Sequence, residues 1–214
     1  MDDRKLNITL LCGGVSAERE ISLMTGTQIA EALRTVGHRV WQSDIAPENL
    51  AALDRRPCDL VFPALHGAFG EDGALQEILE ARGIPFVGSG SAASRTGMDK
   101  AATKSLLLEH GIPTANWQVV YAHKYKDSWT PASGIGYPCV IKPVSEGSSV
   151  GCRVCRTLEE ARGHLAASLP RRTPTLPRPG RRPRPTSWTS VSRAFRPRPM
   201  VAVPVTSASA MTRC

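Results

Sequence analysis

Cys139-Val140-Ile141-Lys142-Pro143-Val144-Ser145-Glu146-Gly147-Ser148-Ser149-Val150-Gly151 is the stretch on which the reading of this chain turns. An apolar β-type run delivers one lysine and then breaks at a proline. Small Ser and Gly residues follow, and a second β-type run starts at Val150. Backbone N–H groups in such a loop can close over a polyphosphate, and a lysine on a rigid strand supplies positive charge beside it. The lysine precedes the glycines, so the pattern is not that of a Walker loop. Taken alone, the segment also reads as an ordinary hairpin with a flexible turn.

Working outward, the rest of the chain alternates strand and helix patterns. Asn7–Cys12 reads as a strand ending at Gly13-Gly14, followed by a helix over Glu20–Val36 with Ile21, Met24, Ile29, Leu33 and Val36 on its inner side and Gly37 as its stop. Strands are expected at His38–Ser43, Asp59–Ala64 and, briefly, Phe86-Val87, with a helix over Gly73–Arg82. This alternation predicts an α/β fold with a parallel sheet. Gly88-Ser89-Gly90-Ser91-Ala92-Ala93 matches the G-x-G-x-x-A pattern, but no acid ends a strand at the offset that dinucleotide binding requires. It reads better as small residues packing at a helix start. A helix over Lys100–His110, strands at Trp117–Tyr121, Tyr137–Lys142 and Val150–Cys155, and a helix from the capping box at Thr157 to Ser168 complete the ordered part. The domains expected are 1–97, an α/β substrate domain; 98–169, the first lobe of a second domain; and 170–214, a tail without order.

The formal charge of +8 over 214 residues is confined to that tail. From Pro170 onward there are ten Arg, nine Pro and no acidic residue, leaving 17 basic against 19 acidic residues before it. Proline blocks helices, and too few apolar groups remain to offset the entropy of ordering. The segment reads as a nucleic-acid arm, as a PxxP ligand, or as translation in a shifted frame, and the last accounts best for the abrupt loss of every acid and lysine. No run approaches the roughly 20 apolar residues that span a bilayer, so neither membrane nor nucleic acid is expected as a partner. The six scattered cysteines suit reduced thiols in a cytoplasmic protein. Cys152 and Cys155 form a CxxC within a strand pattern, where residues three apart face opposite ways, which argues against a shared metal.

Two further constellations lie beyond strand ends, where α/β sheets place ligands. In Gly13-Gly14-Val15-Ser16-Ala17-Glu18-Arg19-Glu20, glycines admit close backbone approach and Glu18 can meet a cationic amine, although a first-turn glutamate also simply favours the helix dipole. In Leu65-His66-Gly67-Ala68-Phe69-Gly70-Glu71-Asp72-Gly73, His66 can orient a polar substrate or exchange protons near neutral pH, although a lone turn histidine is more often structural.

Together with the Met98-Asp99-Lys100 helix start and the phosphate-type loop, these motifs in this order resemble the D-alanine–D-alanine ligase family of the ATP-grasp superfamily, over residues 6 to about 169. The resemblance implies an N-terminal Rossmann-like domain followed by part of an ATP-grasp module. It implies ATP-dependent joining of two D-alanines through an acyl phosphate for peptidoglycan synthesis, with Mg2+ as cofactor and a homodimeric, cytoplasmic protein. On the same resemblance Glu18 contacts the ammonium of the first D-alanine, and Ser148 joins a hydrogen-bonded triad with Glu18 and a later tyrosine. His66 lines the substrate pocket, and Lys100, Lys142, Gly147 and Ser149 hold ATP. The family's adenine hinge, triad tyrosine, acyl-phosphate arginine and Mg2+ ligands have no counterpart in the tail. The expectation is therefore a truncated copy without activity. The alternative is a non-catalytic small-ligand-binding module with a basic nucleic-acid-binding arm.

Overall fold

Thr9-Leu10-Leu11-Cys12 has no polar alternation, as expected of a strand covered on both faces, and it forms the centre of strand β1 (Asn7–Gly13). The structure, a computed structural model, describes residues 4–169 and 199–204. The chain divides into two compact units, 1–112 with 145–148, and 113–144 with 149–214.

In the first unit β1 pairs in parallel with β2 (Arg39–Ile45) on one side and β3 (Leu60–Pro63) on the other. A single parallel bridge from Val61 to Phe86 extends the sheet where a short strand is expected. Helix α1 (Arg19–Thr35) returns the chain from β1 to β2. It stops at Gly37, whose φ of 90° lets His38 N–H reach Leu33 O (3.1 Å) and Gly37 N–H reach Arg34 O (2.9 Å). Helices α2 (Ala74–Ala81), α3 (Ser91–Met98) and α4 (Lys100–Glu109) complete the unit. It keeps α4, which the sequence reading assigns to the second domain.

The buried side of α1 differs from the expected one. Ser22, Gly26 and Ala30 are the buried residues, while Ile21, Met24 and Val36 stand more than half exposed. Close approach decides this: a Cβ at Gly26 would fall 2.7 Å from Cys12 Cβ, so the helix rests on β1 through its small residues and larger ones are displaced outward. Ile8, Leu10, Cys12, Ala30 and Val40 form the core on that side, and Leu11, Ile45, Val61, Leu75 and Leu79 form the other.

The second unit holds a four-stranded antiparallel sheet in the order β4-β7-β5-β6, from β4 (Gln118–Val120), β5 (Cys139–Pro143), β6 (Arg153–Cys155) and β7 (Met200–Pro204). Helix α5 (Leu158–Ser168) opens as expected at Thr157, whose hydroxyl accepts from Glu160 N–H at 3.2 Å. The reciprocal arm goes one residue further back, Arg156 N–H donating to Glu160 Oε2 at 2.7 Å.

Strand β7 corrects the expectation that 170–214 lacks order throughout. Met200-Val201-Ala202-Val203 is the one sustained apolar, β-branched run of the tail. It sits between β4 and β5, with Val201 opposite Val119 and Lys142 and with Met200, Val201 and Ala202 buried. Arginine content masked this local pattern in the sequence reading. Residues 170–198 and 205–214 lie outside the described residues, so the expectation for them stands only as such. Among the described residues no helix is long and apolar enough to cross a membrane.

Candidate functional site

The functional features of the first unit gather where β1 and β3 end. Glu18 occupies the N-cap position of α1, yet its side chain makes no capping bond. Its carboxylate instead lies beside two glycines: a Cβ at Gly67 would be 3.1 Å from Glu18 Oε2, and one at Gly147 would be 3.3 Å from the same oxygen. Three separated motifs, SAERE, LHGAFGEDG and the Ser-Glu-Gly-Ser loop, therefore meet around one carboxylate. A side chain at Gly67 would both press on this carboxylate and be strained by the φ of 67°, whereas one at Gly147 would need the carboxylate to shift by a few tenths of an ångström.

The turn that carries Glu18 is tied to β2. Asp44 accepts from both terminal nitrogens of Arg19, and Arg19 Nη1 also donates to Gly14 O at 3.1 Å. The guanidinium beside Asp44 holds its carboxyl below the usual carboxylate range. Gly13 N–H donates to the buried Ser22 hydroxyl at 2.9 Å, which in turn donates to Ala64 O at 2.7 Å. These bonds fix the ends of β1 and β3 against the start of α1.

His66 follows β3 with its Nδ1 3.8 Å from Glu71 Oε1. Its Nε2 is buried and has no hydrogen-bond partner among the described residues. A buried orphan nitrogen costs about 1–3 kcal/mol, and a ligand oxygen would satisfy it. Glu71 also accepts from Gly67 N–H at 2.6 Å. Its role was not foreseen; the signal available was only its spacing, five residues after His66, within a glycine-rich turn.

Lys100 is the first residue of α4, which starts firmly because the Asp99 side chain accepts from both Ala101 N–H and Ala102 N–H at 2.9 Å. Its Nζ donates to Glu146 O at 2.5 Å, tying the loop to the helix. A cavity of ≈ 410 Å³ opens beside this bond, lined among others by Glu71, Ser94, Lys100, Glu146 and Gly147. Ser148, exposed at the end of the loop segment of this unit, has φ 46°. A non-glycine residue in that region is strained, a feature that concentrates where backbone N–H groups must face a ligand.

Lys142 and Ser149 belong to the second unit. Lys142 lies on β5 opposite Val201, half-buried, and Ser149 is exposed with φ 60°. Of the seven residues singled out from sequence, Glu18, His66, Lys100, Gly147 and Ser148 thus fall within one unit. Among the described residues no group of three or more His, Cys, Asp or Glu side chains is placed to hold a metal ion.

Two family models match the chain, the D-ala D-ala ligase N-terminus over residues 42–89 and the D-ala D-ala ligase C-terminus over residues 106–172. The D-alanine–D-alanine ligase of Gluconobacter oxydans is 43% identical over 164 residues, covering 75% of this chain and 53% of the relative. That of Coprothermobacter proteolyticus is 45% identical over 157 residues, covering 72% and 52%. Among solved structures, the D-alanine–D-alanine ligase of Bacillus anthracis complexed with ATP aligns with a TM-score of 0.69 at 25% identity, covering 95% of this chain and 58% of that one. The chain spans about half the length of the curated relatives it matches.

Proposed function

Because the chain belongs to the D-alanine–D-alanine ligase family, we propose that its first unit binds D-alanine by the ammonium group and that its serine–glycine loop receives the phosphates of ATP. The observation that carries the proposal is the Glu18 carboxylate facing both Gly67 and Gly147. An anionic group free of capping duty and beside a loop rich in N–H donors suits a small zwitterion next to a polyphosphate.

In this reading Glu18 takes the substrate ammonium and the orphan His66 Nε2 meets a substrate oxygen. Glu71 lies 3.8 Å from the other ring nitrogen of His66 and pins Gly67. Lys100 contributes charge at the loop, and Ser148 presents a loop donor. The reaction served is ATP-dependent ligation. A carboxylate oxygen of the first D-alanine attacks the γ-phosphorus and ADP leaves; the amine of a second D-alanine then attacks the acyl carbon and phosphate leaves. Lysines reduce the repulsion between donor phosphates and the attacking carboxylate, and placed charge of this kind is most of what phosphoryl transfer requires. The product dipeptide serves peptidoglycan synthesis in the cytoplasm, and the working form is a homodimer.

Calorimetric titration of the intact chain with D-alanine, with and without ATP, tests the reading. D-alanine should bind better than L-alanine. Glu18→Gln should weaken binding roughly 10- to 150-fold, the equivalent of one charge-assisted bond of about 1.5–3 kcal/mol. Equal affinity of the native chain and E18Q would overturn the assignment. Phosphate release from ATP that depends on D-alanine tests the ligation itself, and none is expected of this chain.

A further inference from the structure

Cys139 and Cys155 stand directly opposite one another in the antiparallel β5–β6 ladder. Direct antiparallel partners have Cα atoms about 4.5–5.5 Å apart and project their side chains from the same face of the sheet. A disulfide needs Cα atoms about 4.4–6.8 Å apart, and either kind of antiparallel pair falls within that range. Both side chains are fully buried in one core cluster with Ile141, Ala161 and Leu165. Burial and the neighbouring Cys155 push the Cys139 thiol up to about 11, and burial raises Cys155 as well. In the closed sheet these thiols are therefore inert. The sheet offers a way round this, because β6 has three residues and is an edge strand, bonded among the described residues only to β5. Parting it from β5 breaks no bond of the β4-β7-β5 ladder.

We propose that Cys139 and Cys155 are a latent disulfide site, closed when β6 frays in the presence of a small-molecule disulfide such as oxidised glutathione. The Cys155 thiolate attacks one sulfur of the oxidant, forming a mixed disulfide and releasing one glutathione thiolate. As β6 re-pairs, the Cys139 thiolate attacks the Cys155 sulfur and expels the second glutathione. The two thiol protons end on the two released glutathiones, and the chain loses two hydrogens. The ring so formed encloses the whole segment from Val140 to Val154, including Lys142 and the Ser145–Ser149 loop. The cross-link is thus a covalent collar at the base of the phosphate-type loop and limits the excursions open to it. Cys152, half-exposed and three residues from Cys155, is the competing partner.

The test treats the intact, reduced chain with oxidised glutathione, with and without mild urea to promote fraying, and then blocks free thiols at low pH. Digestion with trypsin and a glutamyl endopeptidase cuts at Glu146 and so separates Cys139 from Cys152. The expected product is a peptide pair joined through Cys139 and Cys155, lighter by two hydrogens than its reduced parts and released by dithiothreitol. Its formation should be abolished in Cys139→Ala and retained in Cys152→Ala. A Cys152–Cys155 bond, glutathione adducts without cross-linking, or both thiols still reduced in urea would each overturn the proposal. Because the peptide pair is read in the native chain, the result does not depend on the variants folding.

Discussion

Replacing Gly26 with alanine should destabilise the first unit, against the usual gain from removing a glycine in a helix. The new Cβ would lie 2.7 Å from Cys12 Cβ, 3.2 Å from Leu10 Cδ2 and 3.3 Å from Cys12 Sγ. Carbon pairs settle at about 3.5–4.0 Å. The Leu10 and Cys12 tips can rotate away, but the Cys12 Cβ is fixed to β1, so α1 itself must retreat by most of an ångström. Overpacking of this kind costs about 1–3 kcal/mol, and a β-carbon contact belongs at the upper end. Alanine over glycine in a helix interior returns about 1 kcal/mol, leaving a net loss of about 1–2 kcal/mol. Gly97→Ala in α3 is the control, since nothing lies within 4 Å of a Cβ there; it should be neutral or stabilising by up to about 1 kcal/mol. Urea titration followed by hydrogen exchange at the β1 amides reports the first unit alone. Because α1 begins beside Glu18, the retreat should also weaken D-alanine binding in G26A. A G26A chain as stable as native, with G97A behaving likewise, would refute the claim that α1 is seated through Gly26.

Asp99→Ala removes the oxygen that caps two N–H groups at the start of α4 and should cost about 1 kcal/mol, read as lost exchange protection at Ala101–Thr103. Val201→Asp places a carboxylate at a fully buried position between β4 and β5; the second unit should lose protection while β1 keeps its own, and unchanged β5 protection would remove β7 from the sheet. His164 packs its Nε2 3.1 Å from Gly151 O, and burial lowers its pKa below the ordinary 6.5. Unfolded chains then bind the proton more readily than folded ones. Its contribution is complete above about pH 6.5 and is lost as the pH falls through the lower folded value. His164→Asn should flatten that decline in pH-dependent urea midpoints; a slope identical to native would remove His164 from the acid response.

Most of the fold is legible wherever pattern and punctuation agree. The apolar run of β1, the stop at Gly37 and the cap at Thr157 each carry a local physical instruction that the folded chain obeys, whereas β5 runs on through Pro143, where the sequence pattern breaks at the proline. The reading failed where a non-local term decides. Ile21 and Met24 look like core, but the sheet admits only Ser22, Gly26 and Ala30 at that distance, and no hydropathy pattern encodes how near a strand will lie. Phe86-Val87 yields one bridge rather than a strand. The site was legible as motifs and not as geometry: Glu18, His66 and Gly147 stand out by residue type, whereas the Glu71 carboxylate on Gly67 and the Asp44 hold on Arg19 depend on which loops the sheet brings together.

The position of β7 has a consequence for the order in which the molecule is made. Its partners β4 and β5 are complete when Pro143 has been synthesised, yet the strand that joins them begins only at Met200. At ordinary rates of translation the ribosome takes roughly 3–11 s to cover that interval. Throughout it, the facing edges of β4 and β5 have no partner, and Val120, Cys139 and Ile141 lack the cover that Met200 and Ala202 later give. Such edges recruit strands from other molecules. The nascent second unit is therefore most exposed to aggregation late in its own synthesis, and a holdase that binds extended apolar chain would act on it then, after the first unit is already able to close.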